Sequence, residues 1–433
     1  MNAIKKGLKS ALSWPAHRFA QLLTAERTAL VTALLVTVLA SAYQVAAPAS
    51  GLAILCTLGA ALALSYAGIK PWLRVVLMTF LLLGVLPYAG TLNPGVSSLM
   101  IQMFIYIALA LGLNLVVGFA GLLDLGYIAF FAGGAYVYSI FASSQAAKFL
   151  PWFAANAPQG LGGWWFWAAL PLALLVAAFM GIALGLPVMR MRGDYLAIVT
   201  LGFGEVIQVI ARNLDTPINI TGGAPGIAPI QAPTLFGMDM GQPTSLYYIG
   251  LVFVVLTAIA MYRIEHSRVG RALAAMREDD IAARAMGVPL VKMKLLAFAT
   301  GASFSGGMGM LFAVKQHFIN PDTFGFMESI GILAMIILGG LGSIRGVIVG
   351  AAAVTLLRFQ FLPDLSALSA NWGLPSAIDL TKYQPLIFGL ILIVMMIYRQ
   401  DGLIPATRRK ENIAALEGPL PVPAGGTGTS VAK

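Results

Sequence analysis

Charge is scarce in this sequence. Of its 433 residues only 10% are Asp, Glu, Lys or Arg, while 59% are hydrophobic. Soluble domains carry about 25% charged and about 45–50% apolar residues, so a water-soluble globule is excluded. Cysteine is scarcer still. Cys56 stands alone inside an apolar run, which excludes an internal disulfide and a thiolate metal cluster. The three histidines, His17, His266 and His317, are far apart and form no HExxH pair. Catalytic signatures are missing as well: there is no GxSxG elbow and no GxxxxGKS/T phosphate loop. The glycine clusters "GFGE" (202–205) and "GGLGSIRG" (339–346) lack the strand and lysine of a nucleotide site. In a membrane helix such glycines permit close packing or a kink. With no energy source of its own, the chain fits three classes: a channel, a secondary transporter, or a subunit of a transporter powered by other chains.

Long apolar runs are what the sequence has in place of charge, and its mean hydropathy is +0.86. Runs of this kind indicate membrane helices, since barrel strands show only short alternating segments. Candidate spans fall at 29–47, 51–68, 72–90, 98–118, 124–142, 166–188, 195–212, 247–263, 291–314, 328–342, 345–361 and 384–398. Each approaches the ~20 residues that cross the hydrocarbon. The pair 328–342 and 345–361 reads either as two spans or as one broken, re-entrant element, which gives about 10–12 spans in all. The expected fold is therefore an all-α integral membrane protein, a polytopic helical bundle. Residues 1–28 read as a basic cytoplasmic segment, 29–95 as an N-terminal extension of spans and 96–405 as the core. The Pro-, Gly- and Ala-rich stretch 406–433 reads as a disordered cytoplasmic tail. The basic start and the following apolar run imitate a signal peptide, but the run reaches Ala47 and reads as an uncleaved first helix.

The distribution of basic residues orients the bundle. With the N-terminus inside, alternation places Lys70, Arg74, Arg190, Arg192, the segment 263–294, Arg345 and the C-terminal arginines inside. The outside loops hold few cations: none at 91–97 or 213–246, Lys148 at 143–165, Lys315 at 315–327 and Lys382 at 362–383. This pattern obeys the positive-inside rule with both termini cytoplasmic. It also explains the net charge of +10 without nucleic acid.

Polar groups inside spans mark pathways or structural ties. Glu205 is the deepest, within "YLAIVTLGFGEVIQVIA", with Gln208 three residues on. It is neutral, paired, or facing a wet route. Asn114, in "ALGLNLVVGFAG", reads as interhelical glue or as pathway lining. Asn114, Glu205 and Gln208 are the candidate translocation residues. Asp124 lies near a cytoplasmic end, where water or arginine can meet it. The segment 263–294 holds seven Lys/Arg and four Asp/Glu. From Arg268 to Met286 it reads as one helix with Asp280 and Arg284 spaced to pair across a turn, and Gly287 permits a sharp exit. It is either a solvated loop helix or a docking helix whose alanines admit a close partner.

Four stretches resemble a known family: "LGLNLVVGFAGLLDLGY" (111–127), "RGDYLAIVTLGFGEVI" (192–207), "NITGGAPGI" (219–227) and "GRALAAMREDDIAARAMGV" (270–288), supported by "LGGLGS" (338–343) and "DGLIP" (401–405). Together they resemble the permease subunits of branched-chain amino acid ABC importers, of the LivM type. The resemblance implies import of leucine, isoleucine or valine by alternating access across a bacterial inner membrane. It also implies a second, homologous permease, two cytoplasmic ATPase subunits that bring ATP and Mg, and a periplasmic amino-acid-binding protein. No cofactor is expected in this chain. The stretch 270–288 is similar to the coupling motif of ABC importers, with Ala282, Ala283 and Gly287 in its Ala-Ala-x-x-x-Gly positions. Ile281 stands where that motif has glutamate, so Glu278, Asp279 or Asp280 would supply the acid, beside Arg277. The outer loop at Thr221, Gly222 and Gly223 is a candidate gate or docking surface for the binding protein, or else a rigid glycine-proline turn. Permeases for urea or short amides in the same family, and a proton-coupled transporter using Glu205, are the alternatives.

Overall fold

The computed structural model describes residues 71–188, 194–371, 383–399 and 402–404, with isolated positions between 37 and 60. The basic segment 1–28, the tail 406–433 and most of the first two expected spans lie outside the described residues. The chain is a helical bundle. Helix α1 (Pro71–Phe80) runs through a π-helical turn, Leu81–Val85, into α2 (Leu86–Leu92). Asn93 then breaks the helix in extended conformation. Its Oδ1 accepts from Gly95 N at 3.0 Å, and Pro94 occupies the first helical position, a capped start that needs no further donor. From it rises α3 (Pro94–Asn114), prolonged by a π-helical turn, Leu115–Phe119.

The later helices are α4 (Ile128–Phe141), α5 (Pro151–Asn156), α6 (Trp165–Val188), α7 (Asp194–Asn213), α8 (Pro243–Glu265), α9 (Arg268–Glu278), α10 (Asp280–Ala285), α11 (Leu290–Gln316), α12 (Phe326–Gly339), α13 (Ile344–Leu356), α14 (Leu362–Asn371) and α15 (Gln384–Tyr398). A π-helical turn, Leu357–Phe361, joins α13 to α14, and the small hairpin β1 (Thr234–Leu235) with β2 (Met238–Asp239) sits in the loop before α8. Among the described residues, seven helices are long and apolar enough to cross a membrane, and α4, α12 and α15 are shorter apolar helices. The expected span 124–142 shrinks to α4, because residues 120–127 form a loop. The expected pair near the C-terminus is two antiparallel helices, α12 and α13, joined by a tight turn at 340–343.

Helix α3 is the axle. It packs against α8, α11, α12 and α13, and 94% of its most apolar stretch is buried. Helix α11 packs in turn on α6, α4 and α3. Small residues allow these close crossings. A Cβ on Gly134 of α4 would lie 1.9 Å from the Gly306 carbonyl of α11, and one on Gly309 would lie 2.0 Å from the Phe131 carbonyl. Backbone therefore meets backbone where the two helices cross. In contrast, a Cβ on Gly202 of α7 meets nothing within 4 Å.

The loops at one end of the bundle are knitted together. Ile227 and Ile319 exchange backbone hydrogen bonds at 2.9 and 3.2 Å, Ile230 N donates to the His317 carbonyl at 3.0 Å, and Gln231 N donates to the Ala142 carbonyl at 3.0 Å. The segments after α4, α7 and α11 thus share one rigid cap. The opposite end carries α9 and α10. Gly134→Val is expected to lower the yield of monodisperse protein sharply and depress its thermal transition in detergent, while Gly202→Val leaves both unchanged. Equal transitions for the two variants would refute backbone contact as the basis of the α4–α11 crossing.

Candidate functional site

The segment between α8 and α11 differs from the single helix expected over Arg268–Met286. It breaks at Asp279, whose backbone is extended (φ −156°, ψ 114°). The Asp279 side chain explains the break. Its Oδ1 accepts from Ile281 N at 2.7 Å and Ala282 N at 3.0 Å, capping the start of α10, and aspartate competes well for this role. Asp280 does not pair with Arg284 as its spacing predicts. It forms an ion pair with Lys294 of α11 at 2.9 Å, which fastens α10 to the bundle. Glu278 is exposed and has no hydrogen-bond or ion-pair partner among the described residues. Of the three adjacent acids, one caps, one clamps and one is free.

The alanines divide likewise. Ala282 is exposed, but Ala283 is buried and faces the bundle. Leu273 and Met276 of α9 are buried, whereas Ile281 of α10 and Met286 after it are 68% and 85% exposed, because the break at Asp279 rotates α10. Gly287 adopts φ +84° with open space around it, the left-handed exit that glycine tolerates. Arg277, although exposed, reaches across to α3. Its Nη1 donates to the Gly118 carbonyl in the π-helical end of α3, and a Cβ on Gly121 would lie 2.9 Å from its Cγ.

That contact opens onto a junction around the turn 340–343. Asn114 is fully buried, and its Oδ1 accepts from Gly342 N at 2.9 Å. It is a tie between α3 and this turn. Leu403 N and Ile404 N donate to the Leu338 and Gly339 carbonyls at 2.9 and 3.0 Å, so residues 402–404 close the end of α12. A Cβ on Gly342 would lie 3.1 Å from Arg277 Nη1. Asp124 is also buried, away from water and arginine. Its Oδ1 accepts from Gly126 N at 2.9 Å, while Leu125 N donates to Thr200 Oγ1 of α7 at 3.0 Å. The loop 120–127 is thereby held against α7.

Glu205 lies on the outer face of α7, exposed, with no partner among the described residues. Gln208 is half-buried beside Gly325. Thr221 is buried, its Oγ1 donating to the Leu214 carbonyl at 3.2 Å. Gly222 and Gly223 have φ of +77° and +63°, and Gly222 N donates to Asn219 Oδ1 at 3.0 Å. This turn lies at the far end of the bundle from α9 and α10.

Sequence reasoning missed a second polar cluster at that far end. Arg358, in the π-helical end of α13, meets Glu328 of α12 through two hydrogen bonds, Nη1 to Oε2 at 2.9 Å and Nη2 to Oε1 at 2.5 Å. Tyr106 of α3 donates to Glu328 Oε2 at 3.1 Å. Nearby, Lys315 Nζ donates to Gln102 Oε1. Arg358 falls within the expected span 345–361, and an arginine inside an apolar span was the available signal.

With this geometry in view, the chain can be compared with known proteins. The family described as the branched-chain amino acid transport system permease component matches residues 95–398. The chain belongs to this family. The permease is 38% identical over 358 residues to the high-affinity branched-chain amino acid transport permease LivM of Salmonella typhimurium, covering 77% of the chain and 76% of the relative. It is 39% identical over 327 residues to LivM of Escherichia coli, covering 70% and 68%. It is also 23% identical over 311 residues to the E. coli permease LivH of the same transport system, covering 69% and 91%. No solved structure matches it significantly. The permease is thus a multi-pass membrane protein, and both polar clusters lie within the matched region.

The ion pair on α12 and α13 is more than half-buried, with side chains 23% and 24% exposed. Removing one partner strands the other's charge, which costs about 3–5 kcal/mol for a buried pair. Arg358→Gln is expected to destabilise the permease strongly in a detergent melting assay, and Arg358→Gln with Glu328→Gln to recover much of the loss. A double variant no more stable than the single one would count against the pair.

Proposed function

We propose that the permease is the membrane subunit of an ATP-driven importer that carries leucine, isoleucine and valine from periplasm to cytoplasm across a bacterial inner membrane. In this reading α9 and α10 lie on the cytoplasmic side and receive an ATPase, while a homologous permease and a periplasmic binding protein complete the assembly with a second ATPase. ATP and Mg belong to the ATPases. Identity to LivM permeases supports the substrate class. The observation that carries the mechanism is the reach of Arg277 from α9 to the Gly118 carbonyl of α3. A force applied to the α9–α10 corner is delivered to the end of the central helix and to the turn 340–343 beside it.

The corner is built for such a force. The Asp280–Lys294 ion pair and the Asp279 cap hold α10 rigid, and Ile281 and Met286 stand out as apolar knobs. Glu278 replaces the glutamate that the family's coupling motif places at Ile281. A partner contacts these groups, and Arg277 and buried Ala283 connect them to the bundle. Alternating access follows if the two states of the bundle differ in these contacts and ATP binding favours one. Glu205 supports the paired permease. A carboxylate facing hydrocarbon at mid-helix costs at least ~2.5 kcal/mol, and Gly202, one turn away, leaves open space for a neighbouring helix.

The reading is tested in proteoliposomes holding this permease with its neighbouring ATPases, homologous permease and binding protein. Leucine uptake is expected only with ATP on the ATPase side; uptake by this chain alone without ATP would overturn it. Glu278→Lys and Gly287→Pro are each expected to cut ATPase co-purification and uptake about tenfold or more with membrane insertion intact. Proline cannot adopt the φ of +84° at 287. Asp279→Ala, losing a cap worth about 1 kcal/mol, is expected to reduce assembly less.

A further inference from the structure

Far from the coupling corner, a cavity of about 360 Å³ opens between α3, α11, α12 and the π-helical end of α13. Lys315 and Leu290 stand near opposite ends of α11, about 38 Å apart at ~1.5 Å per residue. The cavity therefore lies on the side from which an importer receives its cargo. Its volume is at the small end of ligand cavities, which run from about 300 to 1,000 Å³, and suits one amino acid.

Its lining is divided. Leu109, Ile128, Phe131 and Phe312 form an apolar wall, and Gln102, Lys315, Glu328 and Arg358 a charged and polar one. The charges do not cancel. Arg358 and Glu328 neutralise each other through two hydrogen bonds. Lys315 has only the neutral Gln102 amide as a hydrogen-bond partner, and no carboxylate reaches it among the described residues. A cation so placed in a membrane helix is costly unless an anion meets it. Glu328 also has unused capacity. A carboxylate offers about four acceptor sites, and Oε2 takes bonds from Tyr106 and Arg358 while Oε1 takes one from Arg358. One site on Oε1 is open.

An unpaired ammonium, an open carboxylate site and an apolar wall match the carboxylate, ammonium and hydrocarbon side chain of an aliphatic α-amino acid. We propose that this cavity is the substrate site of the permease, with the amino acid's carboxylate on Lys315, its ammonium on Glu328 and its side chain against the Phe312 wall. The assignment rests on the importer reading and adds to it the residues that touch the cargo.

The test uses the assembled complex in nanodiscs without its binding protein, probed with tritiated leucine. Lys315→Met is expected to weaken leucine binding about tenfold or more, and Lys315→Arg to retain most of it. On the wild type, 4-methylpentanoate, which keeps the carboxylate, is expected to compete, and 3-methylbutylamine, which lacks it, to compete poorly. Co-purification of the ATPases confirms that each variant assembles. Unchanged leucine affinity in Lys315→Met overturns the assignment, as does equal competition by the two analogues on the wild type. Intact leucine affinity with weakened docking of the binding protein also overturns it, and gives Lys315 to that protein contact instead. Absence of ATP-driven leucine uptake by the wild-type complex in proteoliposomes would sink the importer reading itself. Uptake by the wild type with an unaltered Lys315→Met affinity sinks only this assignment.

Discussion

Hydrocarbon supplies no hydrogen bonds, so every backbone group exposed by an interruption of a membrane helix must find a partner inside the protein. This constraint organises the permease. Its central helix ends in a π-helical turn, followed by the loop 120–127, and the helix pair α12–α13 is interrupted at 340–343. Each interruption is closed by a side chain or segment from elsewhere: Asn114 for Gly342 N, Thr200 for Leu125 N, Arg277 for the Gly118 carbonyl, and the 402–404 segment for the end of α12. Four parts of the chain, far apart in sequence, are thus bound to one region. The α9–α10 corner connects to the bundle through one of these closures, and in the proposed function the bond that satisfies the backbone is also the one that transmits force.

The two ends of the bundle use charge differently. At the α9–α10 corner, ion pair and cap hold a small structure together and leave one acid and two apolar side chains exposed. At the other end the loops are fastened by backbone hydrogen bonds and an exposed Arg212–Asp322 ion pair, and further charges lie in the cavity between helices. Rigid loops around that cavity mean that a change in its shape has to come from the helices beneath. Helices α3, α11 and α13 contribute to the cavity, and α3 also ends at Arg277. One helix joins the two ends.

The sequence made the helical membrane class, the position of most spans and the family legible, because these depend on local hydropathy and on runs of motif residues. The internal layout of the α9–α10 segment was not legible. Its helix formers hid the break, since Asp279 serves either as a helix residue or as a cap. Asp280 had Arg284 at the right spacing, yet the preferred partner was Lys294, brought near only by the return of α11. Arg277 counted as one charge among many until the fold placed the Gly118 carbonyl under it. The cluster of Arg358, Glu328 and Tyr106 was missed because averaging over a span dilutes one charge among many apolar residues, and its partners lie on other helices. Asn114 was recognised as either glue or lining, and only the fold shows that its Oδ1 meets Gly342 N.

Helix α3 and helix α6 have similar mean hydropathies, 2.1 and 2.4, yet 94% of the first window is buried and 33% of the second. A helix that ends enclosed by protein has no need of apolar residues on every face for contact with lipid. It needs them earlier, when it is released into the bilayer before its neighbours have been made. The composition of α3 therefore serves two solvents in succession, lipid during synthesis and protein thereafter. A substitution there can be harmless to the finished bundle and still prevent it from being built.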